Sequence, residues 1–445
     1  MSKLLRFIST AILCTGVFVT SSHSDEAPLL SLEDALTIVR LQNPQVQNAK
    51  IQIDVVGDQT DAMRTKRYPQ LTANVRGFQN FVDNEYTFEQ GSLGTVGVDP
   101  VPSSTVEIGT TNGFSTHYSL TATQPLMDLY QIGLNVDKLE MQQDIARQQS
   151  RQTRQSISLQ VKQLYYQILS NQSAVEATDA TLEFDRELVK ILKDNVAQKT
   201  ELEYQLLNAE AQLASTQHKL LSQKNDIITS KQQLNSLLGR DISTPFSVSA
   251  VPADPMARYT ADTATEQALA QRPDTEQARL QVKVAENDVA IQKSAYLPEV
   301  NLVANYGRSE NTTLLPDESM YVGVIAKWEF ITWGRNESQV SGSKRAVTQA
   351  RNSLRDNEDQ IRAQVSADIR NLEVAKQLIP VTQMAQKASE EKLRVSLNQY
   401  KEKSILLSDL LDARSELSAA NNDYQQAQLA VWNAAAQLQN ALGEE

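Results

Sequence analysis

The chain has 445 residues, including only 15 glycines and 6% aromatic residues, and its formal net charge is −12 at pH 7. This length allows two or three ordinary domains, and the abundance of Gln, Asn, Ala and Leu favours helix over sheet. The acidic balance argues against a nucleic-acid partner, because phosphate binding needs a basic surface.

The first element is an expected signal peptide at residues 1–24. Two basic residues precede an apolar run that is too short for a membrane anchor, and a small polar tail then predicts cleavage before Asp25. Cys14, the only cysteine, lies inside this segment. The mature chain is therefore expected to have no disulfide and no zinc–thiolate site.

The rest of the sequence repeats itself at two fixed offsets. Near the start of each half, prolines recur 229 residues apart, as Pro44 with Pro273 and Pro69 with Pro298. Near the end of each half, "LLNAEAQL" and "SLLG" recur 204 residues later as "LLDARSEL" and "NALG". These offsets indicate a tandem duplication with about 25 extra residues in the first copy. We predict a first repeat at 25–239, a linker at 240–262 and a second repeat at 263–445.

Each repeat begins with an expected helix of about 35 residues, which spans 31–67 in the first copy. Two strands with alternating apolar and polar residues follow, "LTANVRGF" and "HYSLTATQP" in the first copy and "VNLVANY" and "YVGVIAKWEF" in the second. Their length is typical of transmembrane β-strands, although a small soluble sheet packed on helices would alternate in the same way. The glycine-rich loop at 81–114 holds most of the extra residues.

A very long helical tract ends each repeat. Residues 134–238 contain neither glycine nor proline, and Pro380 is the single helix breaker in 343–442. Such tracts must fold back, and the polar segments 195–200 and 400–404 are the expected turns. Placed end to end, the opening helix and the helix that follows the turn would equal the long helix in length. Each copy could therefore form two rods of equal length that lie side by side. The helices alone leave a plain coiled-coil stalk open.

Taken in order, these motifs resemble the TolC family of bacterial outer-membrane efflux proteins over nearly the whole mature chain. The quoted segments that carry the resemblance include "SLEDALTIVRLQNPQV", "YPQLTANV", "TQPLMD", "LPEVNLVANYG", "WEFITWGR" and "SDLLDARSELSAANNDY". The resemblance implies a mostly α fold with a small β part. Long α-helical hairpins would form a trimeric α-barrel, and four transmembrane β-strands per subunit would contribute to a shared twelve-strand β-barrel. The linker and the C-terminus would form an equatorial belt.

The same resemblance implies the function and the partners. The chain would be the outer-membrane exit duct of a tripartite efflux pump or a type I secretion system, a passive channel that extends into the periplasm and is gated at its periplasmic end. Its partners would be two further copies of itself, a periplasmic adaptor (membrane fusion) protein, an inner-membrane transporter and outer-membrane lipid. No cofactor and no catalytic activity are implied. The alternative is a periplasmic coiled-coil structural or adaptor-like protein.

Two acids late in the chain are candidate functional residues. Asp409 and Asp412 are three positions apart, so they share one face of a helix. From the pattern alone, a solvated helix face is sufficient, and an enzyme with an acid/base pair here would lack a nucleophile, a metal set and a cofactor motif. The resemblance implies that both acids line the channel constriction, where three copies bring six carboxylates together, and that Tyr400 helps to hold this end shut.

The resemblance also implies that the two hairpin tips contact the adaptor or a neighbouring subunit, through Lys199, Thr200, Lys403 and Ser404. Family members often have a glycine-containing turn there, whereas this chain has the two lysines near the glycine positions. Gln205 and Asn208 stand in the first copy where the second has its acids.

Four aromatic residues near the strands admit two interpretations. Tyr306, Trp328, Phe330 and Trp333 could lie at the lipid interface, where such rings are enriched, or pack at the junction between strands and helices.

Overall fold

The computed structural model of the chain describes residues 28–82, 85–109, 113–251, 261–312 and 316–444. The expected signal peptide at 1–24 lies outside the described residues, as does the 252–260 part of the expected linker. Among the helices of the described residues, none combines the length and apolarity that a membrane crossing requires.

The first half begins with a short strand and two helices, and it ends with a long helical hairpin. They are β1 (Leu29–Leu30), α1 (Leu32–Gln42), α2 (Pro44–Thr65), β2 (Gln70–Asn80), β3 (Glu85–Phe88), β4 (Thr95–Val96), β5 (Asp99–Pro100), β6 (Val106–Gly109), β7 (Gly113–Pro125), α3 (Asp128–Ala197) and α4 (Glu203–Leu237). The second half follows the same order. It contains β8 (Ser247–Val248), α5 (Ala261–Gln271), α6 (Pro273–Ser294), β9 (Glu299–Glu310), β10 (Glu318–Lys327), α7 (Arg335–Lys401) and α8 (Leu407–Ala441).

The opening helix expected at 31–67 is two helices, so that prediction was wrong in this detail. Asn43 separates α1 from α2 because the proline after it has no N–H and biases Asn43 to extended backbone, with φ −63° and ψ 125°. The Asn43 Oδ1 atom then caps α2 by accepting the N–H groups of Gln45 and Val46 at 2.8 and 3.1 Å. The second copy breaks in the same way before Pro273.

The ends of the return helices pack against these two breaks. The side-chain amide of Asn43 donates to the Leu237 carbonyl at 2.7 Å, at the end of α4. Gly239 follows with φ 72°, and a Cβ atom on it would lie only 2.4 Å from the Gln42 carbonyl oxygen. Gly443 makes the same kind of close approach to residues 271–272. Glycine is therefore required at both positions.

The long helices form the two expected hairpins. α3 has 70 residues and packs along both α2 and α4, while α7 has 67 residues and packs along both α6 and α8. Each long helix spans roughly 100 Å. Pro380, the one helix-breaking residue type in the second tract, does not interrupt α7, which continues to the expected turn. Buried residues on either side, including Ala375 and Thr382, keep the helix packed and override the proline.

The four strands that the alternating segments predicted form one antiparallel sheet, in the order β10-β9-β7-β2. Their pairing places one apolar set of side chains on a single face: Leu71, Ala73, Val75, Tyr118, Leu120, Ala122, Leu302, Ala304, Tyr306, Val322, Val324 and Ala326. The fourth strand ends at Lys327, so Trp328 and Phe330 lie beyond it, contrary to the prediction. β2 and β10 are the two edges of this sheet.

A short parallel pairing between β1 and β8 attaches the start of the described chain to the expected linker. The hydroxyl of Tyr165, on α3, lies 2.9 Å from the Leu30 carbonyl oxygen and accepts the Ser249 N–H at 2.9 Å. The Tyr165 ring is fully buried in the core formed by α1, α3 and α4. The linker is therefore fastened to the side of the helices, well away from the hairpin tips.

Candidate functional site at the hairpin tips

The first hairpin reverses through a turn built on a left-handed lysine. Lys199 has φ 59°, a region that residues other than glycine rarely adopt. The N–H of Thr200 donates to the Asn195 carbonyl at 2.9 Å, and its hydroxyl donates to the same oxygen at 3.0 Å. This is the hydrogen-bond pattern of a glycine-type helix end, with lysine in the glycine position.

The second hairpin repeats this turn. Lys403 has φ 58°, and the N–H and the hydroxyl of Ser404 both donate to the Gln399 carbonyl, each at 2.9 Å. Both lysines and both hydroxyl residues are exposed at the tips. Each turn therefore has the backbone geometry that glycine favours, and it presents an amino group on its tip.

Tyr400 joins the two tips. Its side chain is 7% exposed, and its hydroxyl donates to the Glu201 carboxylate of the first tip at 3.3 Å. Burial and then the Glu201 charge raise the pKa of Tyr400 to about 12. Its ring packs with Leu192 and Leu410 in a small apolar cluster. Within one subunit, this residue holds the two turns against each other.

The two candidate acids lie on the first turns of α8, just beyond the second tip. Asp409 and Asp412 are both exposed, whereas Leu410 and Ala413 beside them are fully buried against the other helices. One Asp409 oxygen accepts the N–H of Leu406 at 3.1 Å, which caps the start of α8. The expected shared face is therefore present, and Asp409 has a structural contact as well.

A buried ion pair near the tips was missed by the sequence analysis. The Arg414 guanidinium contacts both oxygens of Asp185, with Nη2 2.6 Å from Oδ2 and Nε 3.1 Å from Oδ1. The hydroxyl of Thr216 donates to Asp185 Oδ2 at 2.6 Å. Asp185 is 2% and Arg414 8% exposed, so the pair is almost completely removed from water. It connects α3, α4 and α8.

The only sequence signal for this pair was an arginine at a position that the helical spacing places inside, next to Ala413. Its partner Asp185 lies in the other repeat, and no local pattern connects the two. Among the described residues, no group of three or more His, Cys, Asp or Glu side chains is placed to hold a metal ion.

The sequence matches the family described as "Outer membrane efflux protein" over residues 35–240 and 264–444. No curated protein matches the chain. Because the family match covers most of the chain, it confirms the predicted outer-membrane location, with the helices extending into the periplasm, and the predicted role in efflux.

Several solved structures share the fold. The chain is similar to CusC, a protein described as forming a transmembrane channel, with a TM-score of 0.78 at 14% identity over 93% of this chain and 92% of that one. It is similar to the outer membrane protein VceC of Vibrio cholerae, with a TM-score of 0.73 at 18% identity over 93% and 96%. It is also similar to the open state of the Neisseria gonorrhoeae MtrE outer membrane channel, with a TM-score of 0.72 at 18% identity over 93% and 89%. The chain belongs to the outer membrane efflux protein family.

Proposed function

We propose that three copies of this chain form the exit duct of a tripartite efflux pump or a type I secretion system. The duct is a passive channel, and it is gated at its periplasmic end by the hairpin tips. The observation that carries this proposal is the pair of exposed carboxylates, Asp409 and Asp412, on one face of α8 directly beside a tip. Repeated three times around an axis, they form a ring of six carboxylates.

The sheet supports the assembly of several copies. Within one subunit it has four strands and two edges, β2 and β10, and an apolar face that runs across all four. Open strand edges are very costly in lipid, where water cannot satisfy their backbone groups. If β10 of one copy pairs with β2 of the next, three copies close a barrel of twelve strands, an even number typical of such barrels.

The proposed organisation into repeats at 25–239 and 263–445, with a linker at 240–262, is supported by equal element lengths. α1 and α5 have 11 residues each, α2 and α6 have 22, and α4 and α8 have 35. Each subunit then brings two similar hairpins to the tube, and only the second carries the acids.

The two tips are the proposed contact for a periplasmic adaptor protein, which connects the duct to an inner-membrane transporter. Lys199 and Lys403 offer two ammonium groups on each subunit, and Thr200 and Ser404 lie beside them. Exposed positive charges of this kind suit an adaptor surface with acidic side chains, and they favour rapid association at low salt.

Single-channel recording in planar bilayers tests the acid ring. The double variant Asp409→Asn with Asp412→Asn removes the charges, while the amide oxygen introduced at position 409 can still accept the Leu406 N–H. We expect the block by multivalent cations to weaken by about tenfold, because a ring of carboxylates concentrates cations at a constriction.

The control is Asp423→Asn, which removes the same charge from the same helix about 21 Å farther from the tip. It should change the block little. An unchanged block in the double variant would refute the ring. A protein that is monomeric and does not fractionate with outer membranes would refute the duct and favour the coiled-coil alternative.

A further inference from the structure

Trp333, a few residues beyond the end of the sheet, combines a strained backbone with an exposed apolar side chain. Trp333 has φ 51°, in the left-handed region where a bulky side chain is strained. Its indole is also 94% exposed, so the chain itself covers little of this large apolar ring. Strain and exposure together indicate that a partner outside the chain contacts Trp333.

Two further aromatic rings lie beside it. Trp328 is 60% and Phe330 72% exposed, and their ring centroids are 5.9 Å apart. The indole N–H of Trp328 donates to the Tyr296 carbonyl at 3.2 Å, which fixes that ring against the end of α6. With Trp333, these rings line a shallow cavity of about 330 Å³. We call residues 328–335 the collar segment.

The position of the collar segment indicates a lipid partner. It follows β10 directly, since that strand ends at Lys327. In the sequence, Trp328 and Phe330 continue the alternating positions of Val324 and Ala326, which lie on the apolar face of the sheet. The long helix α7 starts at its end. The segment therefore lies at the level where the apolar face stops, and aromatic side chains are enriched at this boundary between hydrocarbon and headgroups.

Charged side chains in and beside the collar segment indicate which kind of lipid headgroup fits there. Arg335 forms an ion pair with Glu329, and Lys327 Nζ lies 3.9 Å from the same carboxylate. Guanidinium and ammonium groups suit a lipid phosphate, while a carboxylate beside indole faces suits an organic ammonium. Asp128 and Glu299 line the adjoining cavity, so acids outnumber bases and disfavour a purely anionic headgroup.

We propose that the collar segment binds the headgroup of an aminophospholipid in the inner leaflet of the outer membrane, one per subunit. The phosphate contacts Lys327 and Arg335, and the primary ammonium lies between Glu329 and the indole of Trp333. The bound headgroup covers the ring that the chain leaves exposed. This site depends on the outer-membrane location of the family, and it is independent of the acid ring at the tips.

The test is selective binding of phosphatidylethanolamine over phosphatidylglycerol, which has the same phosphate and no amine. The chain has three tryptophans, so Trp328→Phe with Trp432→Phe leaves Trp333 as the only fluorophore of that type. In vesicles, brominated phosphatidylethanolamine should quench Trp333 at about tenfold lower mole fraction than brominated phosphatidylglycerol, as expected for one ammonium contact. Native mass spectrometry of the detergent-solubilised protein should show the same preference.

Glu329→Gln should abolish the preference and leave the channel conductance unchanged. Trp432→Phe, a change on α8 far along the chain from the collar segment, should leave lipid retention unchanged. Equal quenching by the two lipids would overturn the headgroup assignment. If Trp333 is shielded both from brominated lipid and from acrylamide in water, a neighbouring copy covers it, and the lipid site is wrong.

Discussion

The two hairpin tips have the same backbone and different side-chain chemistry. Each turn places a lysine in the left-handed region and a hydroxyl residue after it, with matching hydrogen bonds to the end of the preceding helix. Among the positions that differ between the copies, 204 residues apart, are Val196 and Tyr400, Gln205 and Asp409, Asn208 and Asp412, and Glu210 and Arg414. The two hairpins therefore share the turn, while the proposed pore-lining acids are present only in the second.

The two hairpins contribute different members of the contacts between them. The second hairpin supplies Tyr400 and Arg414, and the first supplies the carboxylates that receive them, Glu201 and Asp185. These contacts cross between repeats, so the two hairpins hold each other in one arrangement. Tyr400 and Arg414, which replace Val196 and Glu210 of the first copy, are thus the residues that connect the two hairpins.

The largest expected effect follows from breaking the buried pair. Arg414→Ala leaves the Asp185 carboxylate buried without its partner, which should lower the free energy of unfolding by about 3–5 kcal/mol. Loss of helical circular dichroism in denaturant measures it. Arg394→Ala is the control, since its pair with Glu391 is exposed and screened by water, so that its loss should change the stability little.

A compensating variant sharpens this test. Asp185→Leu combined with Arg414→Met replaces the pair by apolar groups and should recover most of the lost stability. If Arg414→Ala is no more harmful than Arg394→Ala, the pair does not fasten the hairpins together.

Removing the hydroxyl that joins the tips should have a smaller effect. Tyr400→Phe keeps the buried ring and loses one hydrogen bond to Glu201, which should cost about 1 kcal/mol at pH 7. The pKa of Tyr400 is raised from 10.0 to about 12 in the folded chain, so its contribution is complete below pH 10 and is lost as the pH rises through 12.

Urea unfolding between pH 9 and pH 12 measures this dependence. Wild type should lose more stability over that range than Tyr400→Phe, whereas the exposed Tyr204→Phe, at the first tip, should behave as wild type. Parallel curves for wild type and Tyr400→Phe would contradict the assignment.

Exchanging Gln205, near the start of α4, and Asp409, near the start of α8, should exchange the stability that the two helix starts provide. Gln205→Asp gives α4 the carboxylate with which Asp409 caps α8, and it should stabilise the protein by about 0.5–1 kcal/mol. The reverse change, Asp409→Gln, should destabilise it by a similar amount. Thermal unfolding of the two variants measures both, and equal signs would show that the cap has no role.

The smallest expected effect comes from the left-handed backbone conformation that Lys199 and Lys403 share. Lys403→Gly relieves the left-handed strain, and after the extra chain entropy of glycine it should stabilise the protein by about 0.5 kcal/mol. Lys387→Gly, on the exposed side of α7, should instead destabilise it by about 1 kcal/mol. Lys199→Gly should behave as Lys403→Gly if the two tips are equivalent, and denaturant unfolding compares the three.

The element order, the four strands and the two turns were predictable because they depend on local features. Alternation of apolar residues defined the sheet face, and polar segments around Lys199 and Lys403 identified where the helices reverse. The break at Asn43 also has a signal in the sequence, an asparagine before a proline, although one continuous helix was predicted at 31–67. Local signals thus predicted the elements, but they missed the break at Asn43 and placed the end of β10 beyond Lys327.

The contacts between distant segments depended on packing. Asp185 and Arg414 are each an ordinary charged helical residue in the sequence, and they pair because α3 packs against α4 and α8 in one register. The Tyr400–Glu201 contact has the same origin. Periodicity and turn chemistry act over a few residues, so they specify elements and their lengths. Which charges meet, and which are buried, depends on how helices separated by about 200 residues pack together.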